Sequence, residues 1–560
     1  MLLFPLLVSF AAIVPWVTAE SQVLLNSINT GKVIDAEFKA YVQDLLEENS
    51  VTGISLAIVH ANGQAEFGTW GNKTEDGIAM TSDTLFNLAS CSKAFAAAAV
   101  GILIDDFANG RNSTPLPPGV KEFTWKTKVK DLLPEDWELM DAWASEKVNI
   151  QDILSHVSGL PRHDLSYGPS DSPLDIVQRM KHLQPDHELC EKWSYNNQMY
   201  VVAAHIVSTY AGSYIDFVKE RILGPLGMKS TTFSPREAAR SGKLTQSWVH
   251  EGRRIPYWFT EDVIELQAGP GALISSTEDM AKWVAAWLNS GSDPLTGSTI
   301  IPRSAYEAIT SAYAITDGQG RTPDLSISAY GMGWWRTSYR GHEFLHHTGA
   351  IPGFSTRVTF LPSAGFGIVA LTNTDEKASV NSAISFRIID DILGLPHVVS
   401  SAGSSVDTVP CISHASGIVA NLENLTGTYT NAGYGSFTLC SSESTSSYCE
   451  GVLQDFAAID AYSPRLPPLH SGSQLLAAWP RLWSTHLRFV HLGDNRFTLI
   501  SPILFPYGYG EDVTPFETYE HGTEAEVRFV LEGERAVGFE LIGGDPSSYE
   551  QSTSAWFSRV

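Results

Sequence analysis

Basic residues are scarce in this 560-residue chain: 37 Lys and Arg stand against 62 Asp and Glu, a formal charge of -25. A protein that grips nucleic acid clusters cations along one face to displace counterions from phosphates, and no such stripe occurs here. Nucleic acid is excluded as a partner. Cysteine is sparse too: Cys91, Cys190, Cys411, Cys440 and Cys449 are the full set. That is too few for a disulfide scaffold and odd in number, so at least one thiol stays free or pairs elsewhere. Cys440 and Cys449 flank the polar loop SSESTSSY and are candidates for one bridge, closing a hairpin. Beyond the amino terminus the longest apolar run, Ala94 to Ile104, covers 11 residues. That suits a buried core helix and falls short of the ~20 residues a membrane span needs. The chain carries no Gly-x-Ser-x-Gly elbow and no Gly-x-x-x-x-Gly-Lys phosphate loop. The α/β-hydrolase and nucleotide-binding readings therefore have no anchor. No 20 to 50 residue repeat supports a solenoid or propeller.

What is present describes a globular protein able to bury large cores, with 43% hydrophobic and 18% charged residues. Residues 2 to 17, LLFPLLVSFAAIVPWV, are apolar apart from Ser9 and lead to the small-residue pattern Val17-Thr18-Ala19. This predicts a signal peptide over residues 1–19, hence a secreted, extracellular chain with no stable membrane anchor. The sequons at Asn72, Asn112 and Asn424 are candidate glycosylation sites consistent with that route.

From residue 30 to 397, helical patterns such as Phe38 to Leu46 and Met280 to Leu288 alternate with strand-like runs such as Ile54 to Val59 and Phe366 to Leu371. The alternation predicts an α/β or α+β domain. Residues 398–418, rich in small and turn-forming residues, predict a linker. From 419 to 560 short runs such as Phe437 to Leu439, Leu487 to Val490, Phe497 to Ile500 and Arg528 to Leu531 predict an all-β barrel or sandwich.

The sharpest chemical feature is Ser90-Cys91-Ser92-Lys93, the only Ser-x-x-Lys in the chain, followed directly by AFAAAAVGILI. Three residues along a helix bring both side chains to one face, within reach of each other. The helix that follows is apolar nearly all round, which hides Lys93 near a core, where burial lowers an amine's proton affinity enough for it to activate a serine. The competing assignment is an N-capping Ser90 with a solvated Lys93. In Trp193-Ser194-Tyr195-Asn196-Asn197, Tyr195 can relay protons and Asn197 can donate to a substrate carbonyl, although a turn with a packed tyrosine fits as well. In His346-His347-Thr348-Gly349-Ala350, Gly349 lets a substrate lie against a strand edge, and the next N–H can form half an oxyanion hole.

Taken in order, Ser-x-x-Lys, Tyr-x-Asn and His-Thr-Gly resemble the motifs of the serine β-lactamase and penicillin-binding-protein superfamily, closest to its class C-like esterase and D-aminopeptidase branch. Val148 to Pro161 and Ala268-Gly269-Pro270-Gly271-Ala272-Leu273 resemble two further stretches of that family. The resemblance covers roughly residues 30 to 395 and implies a β-lactamase-like transpeptidase fold, an antiparallel sheet flanked by helices. It implies a Ser90 nucleophile, Lys93 and Tyr195 sharing the base role, an oxyanion hole from the N–H groups of Ser90 and Ala350, and Asn197 on the acyl portion. Where true β-lactamases usually carry lysine to bind the substrate carboxylate, this chain has His347, which disfavours antibiotic hydrolysis. The segment opening Leu425-Thr426-Gly427 and closing Phe539-Glu540-Leu541 resembles the lipocalin-like barrel appended to many members of the branch.

His342-Glu343-Phe344-Leu345-His346 matches a zinc-protease pattern, but that pattern needs a helix. Its flanks read as strand, where the two histidines stand about 13 Å apart, too far for one metal. The sequence therefore implies no metal and no cofactor. The expected activity is that of a secreted serine hydrolase or acyltransferase, with esterase or transesterase leading. It would act on a small ester, thioester or peptide and pass the acyl group to water or another acceptor. A D-stereospecific peptidase or β-lactam hydrolase is the alternative within this class. From another class, a catalytically retired binding or scaffold protein is opposed by the intact Ser90, Lys93 and Tyr195. Cys91 is read as packing. Sequence does not fix the oligomeric state.

Overall fold

The computed structural model describes residues 32–397, 421–462, 474–518, 525–543 and 554–560. The proposed signal peptide, all of the proposed linker, and Cys411 lie outside them.

The first part is built on one eight-stranded antiparallel sheet. Its strands are β1 (Gly53–His60), β2 (Ala65–Gly71), β3 (Ala314–Asp317), β4 (Ser328–Tyr330), β5 (Trp335–Tyr339), β6 (His342–Ile351), β7 (Phe354–Leu361) and β8 (Phe366–Thr372), in spatial order β2-β1-β8-β7-β6-β5-β4-β3. Alternation along β1 shows why both faces are covered. Ile54, Leu56 and Ile58 point into one core with the helices α1 (Ala36–Glu48) and α5 (Ala378–Leu393), while Ala57 and Val59 point into the other. That second core holds α2 (Lys93–Ala108), α3 (Gln198–Ala211) and α4 (Thr277–Leu288). Helix α2 presents no polar stripe, so it can only be central. It carries Lys93 at its first position.

The second part is an eight-stranded antiparallel barrel of β9 (Gly427–Asn431), β10 (Gly435–Leu439), β11 (Gln474–Ala478), β12 (His486–Gly493), β13 (Arg496–Ile500), β14 (Ala525–Glu532), β15 (Arg535–Gly543) and β16 (Ser554–Arg559). They run in the order β10-β9-β16-β15-β14-β13-β12-β11, and the ends meet where Cys440 and Leu476 exchange backbone hydrogen bonds of 2.8 and 2.9 Å. Its interior is filled by Tyr429, Phe437, Phe489, Phe529, Phe539 and Phe557, whose rings pack on one another mostly tilted, with Tyr429 edge-on to Phe529 and Phe539 stacked on Phe557. The barrel expected for this part is present.

The all-β expectation needs one correction. Helix α6 (Ser447–Asp460) follows β10, with Ser446 accepting from the Cys449 N–H at its start and Val452, Phe456 and Ile459 buried along one face. Cys440 and Cys449 do form a disulfide, but it ties a strand end to this helix and closes no hairpin.

Candidate functional site

The turn carrying Ser90 is assembled from three directions. Phe86–Asn87 pairs with Ile274–Ser275, and the Asn87 side chain accepts the Ala89 N–H at 2.7 Å. Ala89 is thereby held at φ 46, a left-handed conformation that costs a non-glycine residue roughly 1–2 kcal/mol. The chain then makes one turn of 3-10 helix, Ala89–Ser92, and enters α2. Ser90 does not cap this helix. Its Oγ faces Lys93.

Lys93 is fully buried, and its Nζ contacts three oxygens: Ser90 Oγ at 3.0 Å, Asn197 Oδ1 at 2.8 Å and the Pro270 carbonyl at 2.9 Å. Burial holds the amine well below its ordinary value of 10.5, the charge of Arg162 acts the same way, and Asp164 and Cys91 oppose them. A neutral amine has two N–H donors and one lone pair. The two carbonyl-type oxygens can only accept, so they take both N–H groups and leave the lone pair for the Ser90 hydroxyl.

The Tyr195 ring centre lies 4.8 Å from Lys93 Nζ. Burial pushes the phenol up, with the nearby Ser90 hydroxyl partly offsetting it. The loop bearing Tyr195 rests on His156, which adopts φ 61, packs with its ring tilted 38° and 4.4 Å from the Tyr195 ring, and accepts the Asn196 N–H at 3.1 Å on Nδ1. The adjacent asparagines divide the labour. Asn196 Oδ1 accepts the Met199 N–H at 2.9 Å in the first turn of α3, while the Asn197 side chain makes no capping bond and bridges Lys93 and Asp164 instead.

Strand β6 supplies the third element. A Cβ on Gly349 would stand 2.3 Å from both the Leu88 carbonyl oxygen and Thr356 Oγ1, so only glycine allows this strand against the Ser90 turn. Ala350 lines the cavity beside Ser90. The His347 ring does not line that cavity. It is fully buried, with Nε2 2.9 Å from Tyr330 Oη and Nδ1 2.6 Å from the Thr348 carbonyl, and burial pushes it down to about 3. Cys91 packs beneath the site, 3.3 Å from the His347 carbonyl, its thiol pushed up to about 11 by burial. The His342 to His346 segment is strand, part of β6. Of the sequon asparagines, Asn72 is exposed and Asn112 and Asn424 are half-buried.

Sequence reasoning missed the residues that complete the cavity, whose volume is about 110 Å³. Arg162 lies 5.1 Å from the Tyr195 ring centre and is paired with Asp164 at 2.7 Å. Phe259 and Gln267 add to the wall, and Trp483, Ile503 and Thr518 enter from the second part of the chain. The only sequence signal for Arg162 was its place directly after the Val148 to Pro161 stretch; the last three residues had none.

With this geometry in place, comparisons place the chain among known proteins. A family model described as Beta-lactamase matches residues 38–389. An unguisins hydrolase from Aspergillus campestris is 32% identical over 375 residues, covering 65% of this chain and 66% of the relative. A D-aminopeptidase from Brucella anthropi is 23% identical over 359 residues, covering 62% of this chain and 60% of the relative. The aligned part thus spans slightly less than two thirds of either relative. The solved structure of the octameric penicillin-binding protein homologue from Pyrococcus abyssi superposes with a TM-score of 0.54 at 16% identity, covering 93% of this chain and 98% of that one, a likeness of fold.

Proposed function

Since the chain belongs to the beta-lactamase family, we propose that it is a serine hydrolase whose nucleophile is Ser90, acylated by a small ester, thioester or amide and released to water or a second acceptor. The observation that carries this reading is the buried Lys93 amine, whose two N–H groups are committed to Asn197 and Pro270 and whose lone pair is left to Ser90. In the mechanism, Ser90 Oγ attacks the substrate carbonyl as its proton passes to Lys93. Tyr195, its ring centre 4.8 Å from Lys93 Nζ, relays that proton from Lys93 to the leaving group. The N–H groups of Ser90 and Ala350 stabilise the oxyanion. Deacylation reverses the proton path with water or another alcohol or amine as acceptor.

Esters lead as substrates. The third motif offers a buried neutral imidazole in place of a cationic carboxylate anchor, which weakens the case for β-lactams. A second reading, a peptidase acting beside a free amino group, is favoured by Asp375 and Glu376 in the cavity wall, carboxylates suited to an ammonium group. The Cys440–Cys449 disulfide supports a secreted protein, because such bonds persist in oxidising compartments.

Intact mass after incubation with p-nitrophenyl esters, a thioester, a D-alanine anilide and a cephalosporin tests the proposal. An adduct with the wild type and none with Ser90→Ala supports it, and the substrate giving the fastest turnover ranks the two readings. Equal adducts on both proteins refute Ser90 as nucleophile.

A further inference from the structure

We propose that Trp483, carried by the barrel, is a positioning residue for Lys93 that acts through Tyr167, Asp164 and Asn197. The inference rests on the reading of Lys93 as base for Ser90. The Trp483 Nε1–H donates to Tyr167 Oη at 3.0 Å, and the Tyr167 hydroxyl donates to Asp164 Oδ1 at 2.7 Å. The same carboxylate oxygen accepts from Asn197 Nδ2 at 3.2 Å, and Asn197 Oδ1 accepts from Lys93 Nζ at 2.8 Å.

Every link has one possible direction. An indole only donates, so the Tyr167 hydroxyl must turn its hydrogen toward Asp164. A carboxylate only accepts, so Asn197 must turn its NH2 toward Asp164 and its oxygen toward Lys93. A flipped Asn197 would set oxygen against carboxylate and N–H against N–H. The acceptor that occupies one Lys93 N–H, and so aims the lone pair at Ser90, is thus set by Asp164, which Arg162 holds on one side and the barrel holds on the other through Trp483 and Tyr167.

The anchor itself is held firmly. The neighbouring Leu482 N–H donates to the Tyr167 carbonyl at 3.2 Å, and Trp258 Nε1 donates to the Leu482 carbonyl at 3.0 Å. The Phe259 ring meets Trp483 edge-on with centroids 5.7 Å apart. Tyr167 is buried at 1% exposure, so loss of the indole donor leaves its hydroxyl without that partner in a dry interior.

The test uses the full-length chain as wild type, Trp483→Phe, Tyr167→Phe and the double variant, with p-nitrophenyl acetate as probe. Phenylalanine keeps a ring against Phe259 and removes the N–H together with part of the indole's volume, so Tyr167→Phe, which removes one hydroxyl, is the cleaner of the two variants. Each single variant is expected to lower the acylation rate and kcat about 10-fold, and KM is expected to stay within about two-fold in Tyr167→Phe, which does not line the cavity, since the chain orients the base and not the substrate. The double variant is expected to fall no further than Tyr167→Phe, because both act through one chain. Wild-type kcat in Trp483→Phe, or additive losses in the double variant, overturns the proposal. Should Trp483→Phe fail to fold, Tyr167→Phe decides by the same split between kcat and KM. Phosphonate labelling of wild-type Ser90 is run alongside. No label means that the Ser90–Lys93 reading fails and this inference with it, whereas normal labelling with an unimpaired Trp483→Phe removes the positioning role alone.

Discussion

Lys93 Nζ donates to the carbonyl oxygen of Pro270 across 2.9 Å, joining the first residue of α2 to the glycine-flanked turn Gly269-Pro270-Gly271. The contact needs a compact turn. A Cβ on Gly269 would meet the Tyr200 carbonyl oxygen at 2.3 Å, so the turn reaches Lys93 only because that position is glycine.

Lys93→Ala is expected to slow acylation by roughly 10²–10⁴-fold, the range of a general base, and Asn197→Ala by less, because Asn197 acts on the lysine and not on the nucleophile. Stopped-flow acylation with one ester ranks the two. The reverse order would sink the assignment of Lys93.

The rate should also depend on pH in a defined direction. Burial holds the Lys93 amine well below 10.5, so the neutral base forms on the acid side of that value. With a substrate that does not ionise, kcat/KM is expected to rise and level off before pH 10.5. A profile that begins to climb only above it contradicts a depressed lysine.

Gly349→Ala should separate β6 from the Ser90 turn, since the added carbon meets Leu88 O and Thr356 Oγ1 at 2.3 Å. The expected cost is about 1–3 kcal/mol of stability from overpacking. Activity should fall at least about 100-fold as the oxyanion donors move apart. Near-normal turnover would show that β6 does not help form the oxyanion hole.

His250 offers a test of pH-linked stability. Glu251, Glu376 and Asp375 approach its ring at 3.1, 3.3 and 3.7 Å. Burial disfavours its charge, but hydrogen bonds to Asp375 and Glu251 and the surrounding negative charge outweigh burial and push it up to about 10. A value raised above the unfolded 6.5 means that the stabilisation is complete below pH 6.5 and is lost as pH rises toward 10. Thermal melts of His250→Gln and wild type should differ most at pH 6 and converge by pH 10. A constant difference would rule out the linkage.

Replacing Cys440 and Cys449 with alanine opens a bridge of sequence separation 9. The expected loss is about 2–3 kcal/mol by loop-closure entropy, read as a lower melting temperature in wild type treated with reductant and in the double variant alike. A reductant effect that persists in the double variant would point to another thiol.

How much of this was legible in the sequence depended on whether a signal was local. Ser90 and Lys93 are three apart, and the apolar run behind them already placed the lysine in a core. The β1 pattern Gly53–His60 and the α4 pattern Thr277–Leu288 were equally local. Helix α6 was readable in principle from Val452, Phe456 and Ile459, but the serine-rich loop before it and the strands around it drew that segment into a β reading. The Trp483 to Asn197 chain was not legible. Its members lie up to 319 residues apart (483 − 164), and no spacing rule links a tryptophan in a barrel loop to an aspartate in a 3-10 turn of the first part. His347 shows a subtler limit. Its identity excluded a cation, yet only the fold showed the ring turned into the Tyr330 pocket.

The cavity wall is split between Arg162, Phe259 and Gln267 on one side and Trp483, Ile503 and Thr518 on the other. The two parts of the chain are therefore not interchangeable modules. A chimera that takes the barrel from a relative must take the residue facing Tyr167 with it, or it will inherit a complete Ser90–Lys93 pair and a wall that no longer fits. Substrate preference in such hybrids should follow the pairing of the halves rather than the origin of the nucleophile.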